Sequence, residues 1–346
     1  MGAKTPRSMI DLIASPERPR LADAFHRPIT YLRVSVTDRC NLRCVYCMPE
    51  AGLPWIPKDE ILSYEEIVRI VGAAAKVGVR AIRLTGGEPL IRTDLARLVE
   101  MIAAIPGIDD IALSTNGLLL AEQARALRAA GLTRVNVSLD TLRPDRFAAI
   151  ARRPGLDRVL AGIDAAFAAG LGPVKLNCVV MRGQNDDEIA AFAELTRTRA
   201  IAVRFIEVMP VAENVADHAS EYVRASEILA RIAALDAVHP VDGPPGNGPA
   251  RYYAFAGARG TVGVISPLSH DYCDTCNRVR LSADGRLKLC LFGDHFIDLR
   301  TPLRDGADDD ALIAIVQGSM YVKPERHHLD IGHTASAMRA LSEIGG

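Results

Sequence analysis

The sequence predicts an α/β chain in two parts. Six strand–helix units over residues 31–239 are followed by a smaller α+β extension over residues 250–346. Three observations carry this reading. Short β-branched runs alternate with longer helical patterns, glycines stand where the helical patterns end, and a Pro- and Gly-rich tract at 240–249 breaks the alternation. Such alternation implies a parallel sheet with right-handed crossovers. Six units make either an incomplete (β/α) barrel or an open Rossmann-like sheet, and periodicity does not separate the two.

The elements follow in order. Residues 1–30 form an N-terminal segment of mixed charge without a motif. It has no apolar core of the kind a secretory signal needs, and its acidic residues argue against a transit peptide. Candidate strands lie at 31–37, 80–85, 110–114, 134–139, 174–180 and 203–207, with helical stretches at 63–78, 94–104, 120–130, 156–169 and 186–199. Ser63-Tyr64-Glu65-Glu66 is a capping-box signature for the first helix. Gly78, Gly131 and Gly170 sit where a left-handed residue closes a helix. Residues 240–249 read as a linker. Beyond it, β-like runs occur at 252–255 and 262–265, a hairpin is expected at 278–282 and 286–291 around Ala283-Asp284-Gly285, and a helix at 309–317.

With 346 residues, 49% hydrophobic residues and a net charge of −1, the chain has an ordinary globular composition. This excludes a general polyanion binder, so no nucleic-acid partner is expected. No apolar run reaches the roughly 18 residues of a spanning helix, so no membrane partner is expected and the reducing cytoplasm is the anticipated compartment.

The seven cysteines fall into two triplets and a singleton. Cys40, Cys44 and Cys47 lie in Cys40-Asn41-Leu42-Arg43-Cys44-Val45-Tyr46-Cys47, directly after the first strand. Cys273, Cys276 and Cys290 span the expected hairpin. Odd-numbered, tightly spaced thiols make a poor disulfide framework and read as metal ligands. Three thiolates hold three corners of a [4Fe–4S] cube and leave one iron open to a small molecule. Zinc is the competing reading for both triplets, with His270 and His295 as conceivable extra ligands of the second. Cys178, in an apolar strand, reads as a small buried hydrophobe.

The Cys-x3-Cys-x2-Cys loop with an aromatic before its last cysteine resembles the signature loop of radical S-adenosylmethionine (SAM) enzymes. Thr85-Gly86-Gly87-Glu88-Pro89, Ser114-Thr115-Asn116-Gly117 and Ser138-Leu139-Asp140 follow at successive strand ends, where barrel enzymes place their chemistry. The resemblance implies an incomplete (β/α)6, TIM-like barrel and an open iron that chelates SAM. Reductive cleavage then yields a 5′-deoxyadenosyl radical. Arg278 and Arg280, two apart on a strand and so on one face, stand beside the second triplet. Together these features resemble the GTP 3′,8-cyclase family of molybdenum-cofactor biosynthesis.

That resemblance implies two [4Fe–4S] clusters, with the guanine base on the open iron of the second. It implies SAM contacts at Tyr46, Gly87, Ser138 and Met209. It implies GTP contacts at Arg33, Arg83, Thr115, Lys175, Arg278, Val279 and Arg280, and a C-terminal tail, Gly345-Gly346, that reaches the active site. The implied reaction removes the C3′ hydrogen of GTP, joins C3′ to C8 and closes with a one-electron reduction. No protein residue is singled out as catalytic beyond the cluster and substrate ligands. Implied partners are a reductant protein, a downstream cyclic pyranopterin monophosphate synthase and a second copy in a homodimer. A peptide-modifying radical SAM enzyme with an auxiliary cluster and a non-catalytic metal-binding protein remain as alternatives.

Overall fold

The structure is a computed structural model that describes residues 21–210, 218–293 and 295–327. Most of the N-terminal segment and the Gly345-Gly346 tail lie outside the described residues.

Strands β1 (Tyr31–Ser35), β2 (Ala81–Thr85), β3 (Asp110–Thr115), β4 (Arg134–Ser138), β5 (Val174–Val180) and β6 (Ile201–Glu207) pair in parallel and in sequence order. Helices α1 (Tyr64–Lys76), α2 (Leu95–Ala103), α3 (Leu120–Ala129), α4 (Pro144–Ala151), α5 (Leu156–Ala168) and α6 (Ile189–Thr198) form the crossovers. The capping box forms at the start of α1. Ser63 Oγ accepts from Glu66 N at 3.1 Å, and the Glu66 carboxylate accepts from Ser63 N at 2.7 Å. Two short helices, α7 (His218–Glu221) and α8 (Ala225–Ala233), follow β6.

The C-terminal region extends both edges of this sheet. Strands β7 (Val238–Val241), β8 (Arg251–Phe255) and β9 (Thr261–Ile265) form a meander, with β9 parallel to β6. Strands β10 (Arg278–Leu281), β11 (Arg286–Lys288) and β12 (Phe296–Asp298) form a second one, with β10 parallel to β1. Helices α9 (Arg300–Arg304) and α10 (Asp309–Ser319) complete the described chain, and α10 packs on α1. The strand order is β12-β11-β10-β1-β2-β3-β4-β5-β6-β9-β8-β7, so eight adjacent strands run parallel and the sheet does not close. This is the incomplete barrel, not a flat doubly wound sheet.

The hairpin expected around Ala283-Asp284-Gly285 forms, with Gly285 at φ +81°. Two local expectations are corrected. The tract read as a linker begins inside a strand, because Val238–Val241 pairs antiparallel with β8. Helices α4 and α8 fall in stretches without a helical expectation. They are eight and nine residues long. Among the described residues no helix is long and apolar enough to cross a membrane.

Candidate active site between two cysteine triplets

The first triplet sits on the loop that leaves β1, and the turn after β2 packs against it backbone to backbone. Gly87 N donates to Thr37 O and Glu88 N to Arg39 O, each at 2.8 Å. A Cβ at Gly87 would lie 2.1 Å from Arg39 O, so only glycine permits this approach. Glu88 then staples β2 to β3. Its carboxylate accepts from Leu90 N (2.9 Å), Thr115 Oγ1 (2.8 Å) and Asn116 N (2.7 Å), and burial pushes its pKa up to about 7. On the next strand end, Asp140 accepts from Tyr46 Oη (2.8 Å) and Val179 N (2.9 Å), which ties the cysteine loop to β4 and β5. Burial raises Asp140 to about 6.

All seven cysteines are free thiols. Cys40, Cys44 and Cys47 line one cavity with Gly86, Gly87, Thr115 and Ser138. Burial pushes the Cys40 thiol up to about 11. It pushes Cys44 well above its ordinary value, with Asp140 and the two neighbouring thiols adding to the effect. Thiolates at this site therefore call for compensating positive charge, which iron supplies. Among the described residues no three His, Cys, Asp or Glu side chains form a group for a single metal ion. The thiols of each triplet instead line the wall of a shared cavity, a donor set of the soft kind that suits iron–sulfur clusters.

The second triplet is built on the turn before β10 and on the residue that closes the following hairpin. Cys273, Cys276 and Cys290 line a second cavity with Tyr272, Phe292 and His327. Arg27, fixed by Asp23 at 2.6 Å, donates to Cys273 O at 2.7 Å. Lys323 donates to the carbonyls of Arg278 and Leu289. Burial alone would raise the Cys276 thiol, but Lys323, Arg278 and Arg27 bring it below its ordinary value. His270 and His295 are exposed and do not line this cavity.

Between the two lies a third cavity of about 190 Å³. It shares Tyr46, Ser114 and Ser138 with the first cavity, and Tyr272, Arg278, Arg280 and Leu291 with the second. The three spaces therefore run in series. Strand register makes the middle one basic. Arg33 on β1 stands opposite Arg83 on β2 and opposite Arg280 on β10, so one row of guanidiniums crosses three strands. Arg278 and Arg204 add two more. Like charges directly opposite one another destabilise a sheet. Burial, Arg280 and other nearby arginines pull Arg33 down to about 9, and this cost is relieved by a bound polyanion.

Of the residues singled out from sequence, Arg33, Arg83, Arg278, Arg280, Tyr46, Ser138 and Met209 all line the central cavity. Gly87 and Thr115 line the first cavity instead, and the Thr115 hydroxyl is engaged by Glu88. The Val279 side chain is buried in the hydrophobic core and is not brought to the cavity. Lys175 is buried on β5 and donates to Pro244 O (3.3 Å) and Pro245 O (2.7 Å). Burial, Arg204 and Arg134 lower it to about 7. Cys178 is buried in the core, 3.7 Å from Asp140 O, as expected of a packing residue.

Sequence reasoning passed over Tyr31, Asn136, Asn177, Arg204 and Tyr272, all of which line the central cavity. Asn136 Oδ1, Asn177 Oδ1 and Arg204 Nε are buried without a hydrogen-bond partner, which marks them for a ligand. The available signal was a polar side chain flanked by two apolar residues in the interior of three successive strands.

The radical SAM superfamily model matches residues 34–196, and the model described as Molybdenum Cofactor Synthesis C matches residues 201–329. Over 329 residues the chain is 52% identical to a GTP 3′,8-cyclase of Heliobacterium modesticaldum, covering 94% of this chain and 100% of that protein. The GTP 3′,8-cyclase of Pelotomaculum thermopropionicum is 51% identical with the same coverage. That of Listeria monocytogenes serovar 1/2a is 45% identical over 94% of this chain and 99% of the relative. Among solved structures, Streptococcus suis SuiB bound to S-adenosylmethionine superposes with a TM-score of 0.55 at 13% identity, covering 88% of this chain and 77% of that one. At that identity the likeness speaks for the fold alone.

Proposed function

The chain belongs to the GTP 3′,8-cyclase family, and from that premise we propose how its residues divide the work. It is a radical SAM lyase that converts GTP to (8S)-3′,8-cyclo-7,8-dihydroguanosine 5′-triphosphate, the first step of molybdenum-cofactor biosynthesis, and it uses SAM and two [4Fe–4S] clusters. The observation that carries the reading is the series of three cavities, with one cysteine triplet at each end and a basic chamber between.

We assign Cys40, Cys44 and Cys47 to one cluster and Cys273, Cys276 and Cys290 to the other. When bound, the clusters and SAM supply the reducing electrons and the carbon-centred radical of the reaction. Everything else falls to the chain. Tyr46, braced by Asp140, and Ser138 stand at the wall shared by the first and middle cavities, and with Gly87 of the first cavity and Met209 of the middle one they form the SAM-facing set. Arg33, Arg83, Arg278 and Arg280 hold the triphosphate. Lys175 joins them by exchanging the carbonyls of Pro244 and Pro245 for phosphate oxygens, and Thr115 and the Val279 backbone complete the set. Guanidiniums bind phosphate bidentately, so several together fix both position and orientation. A nucleotide fixed at its phosphates and its base presents its ribose to one side only, and an enclosed chamber keeps water and stray hydrogen donors away. The Gly345-Gly346 tail belongs to the same proposal, although it lies outside the described residues.

Residues 31–239 make up the radical SAM half of the molecule and residues 250–346 the auxiliary-cluster and GTP half, with 1–30 as a leading segment. The enzyme works in the cytoplasm as a homodimer, takes electrons from a reductant protein and passes its product to a cyclic pyranopterin monophosphate synthase.

The test is anaerobic reconstitution followed by incubation with SAM, reductant and either GTP or a peptide. About eight irons per chain and a cyclised nucleotide formed only with GTP are expected. Zinc in place of iron and sulfide at the first triplet, or SAM cleavage stimulated by peptide and not by GTP, overturns the reading.

A further inference from the structure

The central cavity has an unbalanced charge. Among the described residues, five guanidiniums line it (Arg33, Arg83, Arg204, Arg278 and Arg280) against one carboxylate, Asp140. That carboxylate is already engaged by Tyr46 Oη and Val179 N. Two phenols are set among the guanidiniums, Tyr272 beside Arg278 and Tyr31 in hydrogen-bond contact with Arg83. Tyr31 is 2% exposed, its Oη accepts a hydrogen bond from Arg83 Nε, and strand register places it opposite Arg278. The Arg83 and Arg278 guanidinium carbons lie 5.8 and 5.9 Å from its ring centre.

Resting on the reading of this chamber as the GTP site, we propose that Tyr31 is a positioning residue for the nucleotide. It holds Arg83 in register and acts as the internal counter-group of the arginine cluster, a role that an arriving triphosphate takes over.

The exchange has a definite proton balance. Above about pH 8 a phenolate at Tyr31 pairs with the guanidiniums in the empty chamber, and below it the neutral phenol accepts from Arg83. When the triphosphate pairs with them instead, the phenolate takes one proton from solvent and remains as a neutral acceptor for Arg83. The groups that face it are Arg33 on its own strand, Arg83 on β2, Arg278 and Arg280 on β10 and Arg204 on β6, with Tyr272 before β10 lining the same cavity. Burial by itself raises a phenol. Here Arg83, Arg33 and Arg278 outweigh burial and bring Tyr31 down to about 8. Below that pH the phenol is neutral and does not compete with GTP. Above it, a proton must be taken up on binding, and affinity falls with rising pH.

The experiment is equilibrium binding of GTP to the reconstituted holoenzyme, without SAM, from pH 7 to pH 9. Wild type is compared with Tyr31→Phe and Arg83→Gln, with guanosine as a phosphate-free control and iron content as the check on folding. Wild-type affinity should fall more than tenfold over that range, about tenfold of it from uptake of one proton with a midpoint near 8 and the rest from the discharge of Lys175 and Arg33. Tyr31→Phe should bind about tenfold more weakly at pH 7, the order of one lost charge-assisted contact, and show a shallower alkaline fall, what remains being the discharge of Lys175 and Arg33. Arg83→Gln removes the strongest cation at the phenol and should move the fall to higher pH. Guanosine should show no fall in any protein. If Tyr31→Phe keeps wild-type affinity and the wild-type fall, the Tyr31 role is overturned while the GTP site stands. If wild type binds no GTP at any pH, both are overturned.

Discussion

Arginine side chains crowded on adjacent strands give the site its affinity and its sensitivity to substitution. Arg280 faces the chamber from β10 beside the second triplet, and burial lowers its pKa in the absence of an anion. Arg280→Ala should weaken GTP binding by about 10- to 100-fold, the range for a lost charged hydrogen bond, with iron content unchanged. Equilibrium dialysis under nitrogen measures the first and ferrozine assay the second. Glu88 offers a pH test of a different kind. A carboxyl raised by burial favours the fold while protonated. Its contribution is complete below pH 4.5, its ordinary value, and is lost as pH climbs through about 7. Between pH 5 and 8 the wild type should therefore lose on the order of 3 kcal/mol more stability than Glu88→Gln, as read from urea denaturation at a series of pH values. The cysteines and the Arg278/Arg280 pair were legible in the sequence because their spacing is short-range, while Arg33, Arg83, Tyr46, Ser138 and Met209 were legible through the family resemblance. Arg204, Asn136 and Asn177 were not, since each stands on a different strand between two apolar neighbours and only the pairing of those strands brings them to one cavity.

Elements meet here through contacts that leave no room for a side chain. The turn after β2 lies directly on the cysteine loop, and Gly87 meets Arg39 O closer than any Cβ allows. Gly87→Ala should force the two loops apart and lower iron content to about half, four of eight, with the second cluster retained; iron analysis and spectroscopy of the reduced protein distinguish the two clusters. The strand–helix alternation and the α1 capping box were readable from local pattern, because each is decided within a few residues. The strand at 238–241 was not, because its composition is that of a loop. Its hydrogen bonds come from β8, a pairing that local propensity does not report.

At the scale of the molecule, the last third of the chain is not an appendage. It contributes β10 to one edge of the barrel and β9 to the other. Removing everything after residue 239 would expose β1 and β6 as long unpaired edges of a parallel sheet, and such edges template association. The truncated protein is expected to aggregate, which light scattering on the purified fragment would show. The class of fold was legible because the alternation repeats. The closing partners of β1 and β6 were not, since nothing local in either strand names a neighbour so far along the chain. Thr30 and Asn277, which meet at the β1–β10 junction, are 247 residues apart. A ribosome adding roughly 5–20 residues per second takes on the order of 10–50 s to cover that distance. Throughout that interval the first cysteine loop emerges beside a strand still missing its outer neighbour. Metal loading at the early thiols is thus tied to how quickly translation delivers the late ones, and stalling late in the message should yield chains without iron at either end.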